Sequence, residues 1–128
     1  MAELVGFLME GDLALYRPVG FVRFDEVVAG VRAAITFACS IPARDLLVDT
    51  TSLTGFPSPD VFQRFLAAVG WAEEAMGRLH LAMVARAEMI DPQKFGVTVA
   101  ANRGLTSNIF LTEAEARAWL NAQGRLGP

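Results

Sequence analysis

Apolar residues along this chain form two kinds of pattern: short unbroken runs, and longer stretches with helical spacing. The short runs are LVGFLM (4–9), LALY (13–16), LLV (46–48), LHLAMVA (79–85) and NIFL (108–111). Runs that are apolar at successive positions are typical of strands buried on both faces, as in parallel sheets. The first two flank Glu10-Gly11-Asp12, and glycine supplies the positive φ of a tight hairpin. The pattern predicts an antiparallel pair followed by three more strands of a mixed, mainly parallel sheet.

The longer stretches repeat apolar residues at the 3.6-residue period of a helix. Helices are predicted at 24–38, 59–75, 92–101 and 112–123. Pro42 is expected to end the first of them. The second is expected to turn four large residues towards the core, namely Phe62, Phe65, Leu66 and Val69. Strands that alternate with helices in this way indicate an α/β domain in the order ββαβαβαβα, with right-handed crossovers and helices packed against the sheet.

Three of the helices begin with recognisable capping residues. Ser58-Pro59 and Asp91-Pro92 each offer a side-chain acceptor at the N-cap and a proline in the first turn, where its missing N–H costs nothing. Thr112 and Glu115 have the T-x-x-E spacing of a capping box. These positions are therefore predicted as helix starts.

Composition narrows the class of protein. The chain has 128 residues, of which 53% are hydrophobic and 20% charged, so it can bury a core and is expected to form one domain, 1–128, with its core at about 3–122. The net charge of −3 has no basic run, which argues against nucleic acid. No apolar run reaches the ~20 residues of a membrane helix, and a single cysteine fits a reducing compartment. We expect a cytoplasmic protein without membrane insertion.

No catalytic or metal-binding constellation stands out. His80 and Cys39 are the only histidine and cysteine, and each is interpreted as part of the packed structure rather than as a ligand or nucleophile. The glycines form neither of the common phosphate-binding motifs. The close acidic pairs, Asp25/Glu26 and Glu73/Glu74, lie on predicted helix surfaces. The chain is therefore predicted to be no enzyme and to need no metal or cofactor.

The carboxyl ends of parallel strands share one edge of the sheet, where ligands of α/β folds bind. Asp49 and Arg86 follow neighbouring predicted strands and are expected to form an ion pair. The hydroxyls of the 50–54 segment either bind an anion at the next helix start or hydrogen-bond their own loop. An enzyme that uses Asp49, Arg86 and these hydroxyls is a further alternative.

The order ββαβαβαβα, with RDLLVDTTSLTGF leading into a helix, resembles the STAS domain. The fuller pattern, LLVDTTSLTGF followed by RLHLAMVA and NIFLTEAEARAWL, is similar to the small stand-alone bacterial SpoIIAA-like (STAS/SEC14-like) proteins. This resemblance covers residues 3 to about 122. It implies a SpoIIAA-like fold and a non-enzymatic module for protein–protein interaction in bacterial regulation.

The resemblance fails at the regulatory serine. In anti-sigma factor antagonists of this family, a partner kinase phosphorylates a serine in a D-S-[ST]-G-[LI] segment that opens the second helix. Asp49 matches the strand aspartate that precedes it, but this chain has SPDVF at 58–62, with Pro59 at the place of the serine. The phosphorylation switch therefore does not transfer.

Two binding surfaces follow from these considerations. The first is a contact surface for an unidentified protein partner or for a second copy in a homodimer, predicted at Asp49, Thr54, Gly55, Phe56, Ser58 and Arg86. The second comes from the SEC14-like resemblance, which implies a carrier or sensor of a small apolar ligand. Its pocket is predicted to be lined by Met83, Met89, Ile90 and Phe95.

Overall fold

The computed structural model describes residues 5–41 and 43–126, and for 124–126 the backbone alone. Its seven strands are β1 (Phe7–Glu10), β2 (Leu13–Tyr16), β3 (Gly20–Phe21), β4 (Asp45–Asp49), β5 (Leu53–Thr54), β6 (His80–Val84) and β7 (Ser107–Phe110). Its four α-helices are α1 (Phe24–Cys39), α2 (Val61–Ala75), α3 (Phe95–Asn102) and α4 (Glu113–Leu126). The predicted order is confirmed, with β3 and β5 as two short additions. Pro42, predicted to end the first helix, and Leu4, in the first predicted strand, lie outside the described residues.

The main sheet has the strand order β1-β2-β4-β6-β7, so its strands follow one another in the sequence. β1 and β2 form the predicted hairpin, in which Gly11 has a φ of 63°. The pairings of β2 with β4, β4 with β6 and β6 with β7 are parallel. The fold is thus α/β with a mixed, mainly parallel sheet, and the carboxyl ends of four strands share one edge.

Helices cover both faces of this sheet. Leu46, Val48 and Leu81 point towards α1, α2 and α3, which enclose the larger cluster of buried residues. Leu47 and Val84 point to the opposite face, where α4 covers a smaller cluster. We call these the three-helix face and the α4 face. The alternation follows from the pleat of the strands, which directs successive side chains to opposite faces.

Alanines, not the large residues predicted, form the buried face of α2. Ala67, Ala68, Ala72 and Ala75 are buried. Phe62 and Leu66 are 67% and 53% exposed, so their predicted inward orientation is wrong, whereas Phe65 and Val69 pack partly against the core. Small side chains allow the helix to approach its neighbours closely, and this displaces the larger residues towards the rim.

Two of the predicted helix starts are shifted. Asp60 caps α2 by accepting a hydrogen bond from the Gln63 backbone N–H at 2.8 Å, and the Gln63 side chain accepts one from the Asp60 N–H. This reciprocal box begins the helix at Val61, so Ser58 is not its cap. At α3, the Asp91 carboxylate accepts the Phe95 N–H at 2.9 Å, but the chain first passes through Lys94 in the left-handed region.

The predicted cap of α4 is confirmed. The Thr112 hydroxyl accepts a hydrogen bond from the Glu115 N–H at 3.2 Å and lies 3.1 Å from the Glu115 carboxylate. α4 accordingly begins at Glu113. This short connection brings Glu113 to the carboxyl edge of the sheet.

Candidate functional site

The expected ion pair between Asp49 and Arg86 is not formed. Asp49 ends β4 and is aligned with Val84, which points to the α4 face. Its carboxylate accepts hydrogen bonds from the Thr51 N–H at 2.9 Å and the Thr51 hydroxyl at 2.6 Å. Arg86 lies beyond the end of β6 and donates to the Leu53 carbonyl at 3.3 Å. The two residues follow neighbouring strands as predicted, but the Asp49 side chain lies on the α4 face and the Arg86 side chain lies on the three-helix face.

Asp49 instead lies beside a paired cluster on the α4 face. Arg17, just beyond β2, donates two hydrogen bonds of 2.8 Å to the Glu113 carboxylate. Arg117 approaches Glu113 at 3.9 Å and pairs with Glu10 at 3.0 Å. The Arg17 guanidinium, with a smaller attraction from Arg117, lowers the pKa of Glu113 to about 2 despite its partial burial. We call Arg17, Asp49, Glu113, Arg117 and Glu10 the paired cluster.

Two hydroxyls of the 50–54 segment, those of Thr50 and Thr51, form hydrogen bonds within the protein. Thr50 donates its hydroxyl to the Val84 carbonyl at 2.9 Å, and Thr51 donates to Asp49. The first turn of α2 is capped by Asp60. The Thr51 bond is the predicted hydrogen bond within the loop, and the Thr50 bond connects the loop to β6.

Part of the predicted contact surface has a structural role. Gly55 has a φ of 104°, and a Cβ there would lie 2.7 Å from the Val22 carbonyl oxygen. Only glycine combines this conformation with such a close approach. Phe56 is half-buried and packs its ring 6.0 Å from that of Phe24. Thr54 and Ser58 are exposed, and Ser58 accepts a hydrogen bond from Arg64 at 2.9 Å.

A pocket opens on the three-helix face, between the ends of β6 and β7 and the helices. Its volume is about 130 Å³. The buried part of its wall is apolar and includes Ala68, Leu81, Ala100 and Leu105. Met83 and Met89, two of the four predicted pocket residues, line it. Ile90 and Phe95 are not among the lining residues, and Phe95 packs against the core.

Charged side chains also line this pocket. Three are cationic, Arg64, Arg86 and Lys94, and one is acidic, Asp91. All four are only partly buried, whereas the inner apolar wall formed by Ala68, Leu81, Ala100 and Leu105 is buried, so the charges lie towards the solvent side. The excess of positive charge contrasts with the net charge of −3 of the whole chain. We call Arg64, Arg86 and Lys94 the pocket cations.

The pocket cations are held mainly by neutral partners. Arg64 donates to the Pro59 carbonyl at 3.0 Å, the Met89 carbonyl at 3.2 Å and the Ser58 hydroxyl. Lys94 donates to the Asn108 side-chain oxygen at 2.6 Å and lies 5.4 Å from the centre of the Phe110 ring. The Asp91 carboxylate accepts hydrogen bonds from the Phe95 and Gln93 backbone N–H groups, and these bonds, together with the nearby Arg64, lower its pKa. None of the three cations therefore forms a close ion pair with Asp91.

Arg86 has the least complete set of partners. Its Nη1 lies 3.6 Å from the Glu88 carboxylate, and Glu88 is 62% exposed. Its Nε is buried and has no hydrogen-bond partner among the described residues. A buried N–H without an acceptor is costly, about 1–3 kcal/mol, and such groups in a folded protein call for a specific explanation.

Lys94 adds a second irregularity at the same pocket. Its φ of 50° and ψ of 49° are left-handed, and the only other non-glycine residue with positive φ in the described part of the chain is Met76. A side-chain-bearing residue costs about 1–2 kcal/mol in this conformation. Sparsely populated backbone conformations of this kind concentrate at binding sites.

A separate groove lies beside the predicted contact surface. Its volume is about 630 Å³, and it runs between the first turns of α1 and α2. Phe24, Phe56 and Leu66 line it, and Arg23 and Gln63 contribute polar groups. Phe62 and Phe21, 67% and 85% exposed, are further large apolar residues on the exposed surface. Gly55 and Phe56 of the predicted contact surface thus border an open groove.

Sequence reasoning missed most of the polar part of the pocket. Arg64 lies in a helix, Lys94 in a turn and Asn108 in a strand, so no shared motif links them. Their convergence depends on α2 and α3 packing side by side over β6 and β7, which a residue pattern does not specify.

The remaining single residues fit the packing roles predicted for them. His80 is hydrogen-bonded through Nδ1 to Asp45 at 3.0 Å. Cys39 is a free, half-buried thiol whose pKa is raised by burial. Among the described residues, no helix combines the length and hydrophobicity needed to cross a bilayer.

Comparison with known proteins adds no family assignment. The chain matches no protein-family model and no curated protein. The SpoIIAA-like resemblance therefore rests on the residues quoted above and on the order of the strands and helices.

Proposed function

We propose that this chain is a non-enzymatic binding module of the SpoIIAA-like type that carries or senses a small, mainly apolar ligand. The observation that carries the proposal is the pocket on the three-helix face. Protein interiors are close-packed and rarely contain spaces much larger than a water molecule. Here a space of about 130 Å³ coincides with buried apolar walls and a few polar groups, which is the usual construction of a small-molecule site.

The size of the pocket limits its ligand. A dry apolar cavity on the order of 150 Å³ accepts benzene, so about 130 Å³ suits one ring or a short branched chain. Met83 and Met89 favour such a role because the unbranched thioether side chain adapts to irregular shapes. A long acyl chain would need considerably more room.

Binding of benzene, followed by NMR chemical shifts of backbone amides, tests this proposal. We expect saturable shifts at Leu81, Ala100 and their neighbours. Ala100→Leu should abolish them because its larger side chain fills the pocket, whereas the matched variant Ala101→Leu, on the exposed side of the same helix, should bind normally. The proposal is wrong if a folded wild-type protein shows no saturable shifts, or if Ala100→Leu binds as well as Ala101→Leu.

The groove supports a second candidate function, interaction with a protein partner or a second copy of this chain. Exposed Phe62 and Leu66 on α2 and the apolar groove next to them favour it, since contiguous exposed apolar surface marks interaction sites. This is the role that the STAS resemblance implies, at the surface predicted from Gly55 and Phe56.

Sedimentation velocity of the isolated protein tests self-association through this surface. Concentration-dependent dimers should be lost in the double variant Phe62→Ser/Leu66→Ser. Leu111→Ser is the matched control because Leu111 is similarly exposed, at 55%, and lies outside the groove. A dimer that survives the double variant, or a monomer at every concentration, argues against self-association at this surface.

A further inference from the structure

We infer that the ligand of this pocket is a small monocarboxylate with a ring or a short branched chain, and that Arg86 binds its carboxylate. This inference rests on the proposed ligand-binding function and specifies its chemical class.

The charge at the pocket favours an anion. Three cationic side chains and one acidic one line it. Asp91, which attracts Arg64, offsets only one of the three positive charges. Arg64 and Lys94 donate to neutral oxygens, so their charges remain uncompensated by these bonds. A negative group placed between them gains Coulomb energy, and this energy increases where water is partly excluded.

Arg86 supplies the specific donor. Its Nε is buried and lacks an acceptor in the described protein, while Nη2 donates to Leu53 and Nη1 faces the exposed Glu88. Because Arg86 lines the pocket and its Nη1 lies 3.6 Å from the exposed Glu88 carboxylate, a ligand carboxylate can take the place of Glu88 at this guanidinium. The planar guanidinium matches a carboxylate in shape, and charge-assisted hydrogen bonds of this kind are stronger than neutral ones.

The remaining wall determines the rest of the ligand. Leu81, Ala100 and Leu105 are almost completely buried and provide no charge. Because the pocket is about the size that holds one ring, an anion larger than a carboxylate would leave little space for an apolar group. Benzoate combines these features, and benzamide has nearly the same shape without the charge.

Titration of the full chain with benzoate and with benzamide, followed by NMR, tests the inference. We expect benzoate to bind at least ~10-fold more tightly, a difference equivalent to about 1.4 kcal/mol. Arg86→Met should remove most of this preference, leaving only the weaker attraction of Arg64 and Lys94, and should leave benzamide affinity unchanged. Arg78→Met is the matched control, since Arg78 is exposed and precedes β6, at the opposite end of that strand from Arg86.

The outcomes separate the inference from the function on which it rests. Equal affinity for the two compounds, or an undiminished benzoate preference in Arg86→Met, would overturn the carboxylate inference and leave the apolar pocket standing. Failure of both compounds to bind would overturn both. If Arg86→Met does not fold, Lys94→Met takes its place, with a loss of several-fold in benzoate affinity expected and an unchanged affinity contradicting the inference.

Discussion

At the carboxyl edge of the sheet, the charged side chains on the α4 face form close ion pairs, whereas those on the three-helix face have mainly neutral partners. On the α4 face, Arg17 and Glu113 form a two-fold hydrogen-bonded pair, and Arg117 connects Glu113 with Glu10. On the three-helix face, Arg64 and Lys94 are held by carbonyl, hydroxyl and amide oxygens, Arg86 has only one ionic contact, at 3.6 Å with the exposed Glu88, and its buried Nε has no partner within the described protein. The paired cluster therefore stabilises the fold without a ligand. The pocket cations gain electrostatic free energy mainly when an anion binds beside them.

The pleat of the strands explains this separation. Leu15 points to the α4 face, so Arg17 two residues later continues there. Asp49 is aligned with Val84 and shares that side. β6 ends at Val84, and the chain then turns into a short 3₁₀ segment at Ala87–Met89, which directs Arg86 to the pocket instead.

The largest expected effect is the loss of the paired cluster. Glu113→Gln should lower the free energy of unfolding at pH 7 by about 1–2 kcal/mol, because it weakens two charge-assisted hydrogen bonds to an arginine that is itself 40% exposed. Urea unfolding followed by circular dichroism measures this. The control is Asp25→Asn, whose partner Arg23 is 73% exposed, so its expected loss of stability is clearly smaller than that of Glu113→Gln. Similar losses of unfolding free energy in both variants would show that the Arg17–Glu113 pair is no more stabilising than the exposed Arg23–Asp25 pair.

The pH dependence of the same variant sharpens the comparison. The folded-state pKa of Glu113 is lowered from 4.5 to about 2, so the native state keeps the carboxylate charged to lower pH than the unfolded state does. Its stabilising contribution is therefore complete above about pH 4.5 and decreases as the pH falls towards 2. The stability difference between wild type and Glu113→Gln should shrink over that window. A difference that stays constant from pH 6 to pH 2.5 would show that the pair is not its source.

Relief of the left-handed backbone at Lys94 should have a smaller effect. Lys94→Gly and Met76→Gly both place glycine at a φ of 50°, and we expect Met76→Gly to raise stability by about 0.5–1 kcal/mol. Lys94→Gly should gain less, because it loses the 2.6 Å hydrogen bond to Asn108. Only Lys94→Gly should weaken benzoate binding. Thermal unfolding and NMR titration measure the two effects, and unchanged benzoate affinity in Lys94→Gly would contradict a role of Lys94 at the pocket.

The smallest expected change in stability belongs to Arg86→Met. It removes the bond to Leu53 and also removes a buried N–H without an acceptor, so the two effects should nearly cancel, within about 0.5 kcal/mol. Urea unfolding of the ligand-free protein measures it. A loss of unfolding free energy as large as that of Glu113→Gln would mean that Arg86 stabilises the fold as much as the paired cluster does.

The sequence predicted the strands and helices well because their signals are local. Short unbroken apolar runs and stretches of 3.6-residue period reflect burial within one element, and the Thr112–Glu115 box reflects contacts three residues apart. The start of α2 was predicted two residues too early, because Ser58-Pro59 and Asp60 are both plausible capping sites. Asp60 is the cap because Gln63 returns its hydrogen bond.

The candidate site could be predicted only in part, because it depends on how elements pack. Helical periodicity emphasised Phe62 and Leu66, yet the alanines of α2 are buried and leave those residues exposed. Met83 and Met89 could be associated with a pocket from their apolar neighbours at a strand end. The convergence of Arg64, Arg86 and Lys94 required the packed arrangement of α2, β6 and α3.

The central claim, that an apolar carboxylate occupies the pocket on the three-helix face, is tested most directly by intermolecular nuclear Overhauser effects between benzoate and methyl-labelled protein. We expect contacts from the benzoate ring protons to the methyl groups of Met83, Met89 and Ile109, all of which line the pocket. Contacts to Leu66 in the groove instead, or none to these three residues under saturating benzoate, would contradict the account.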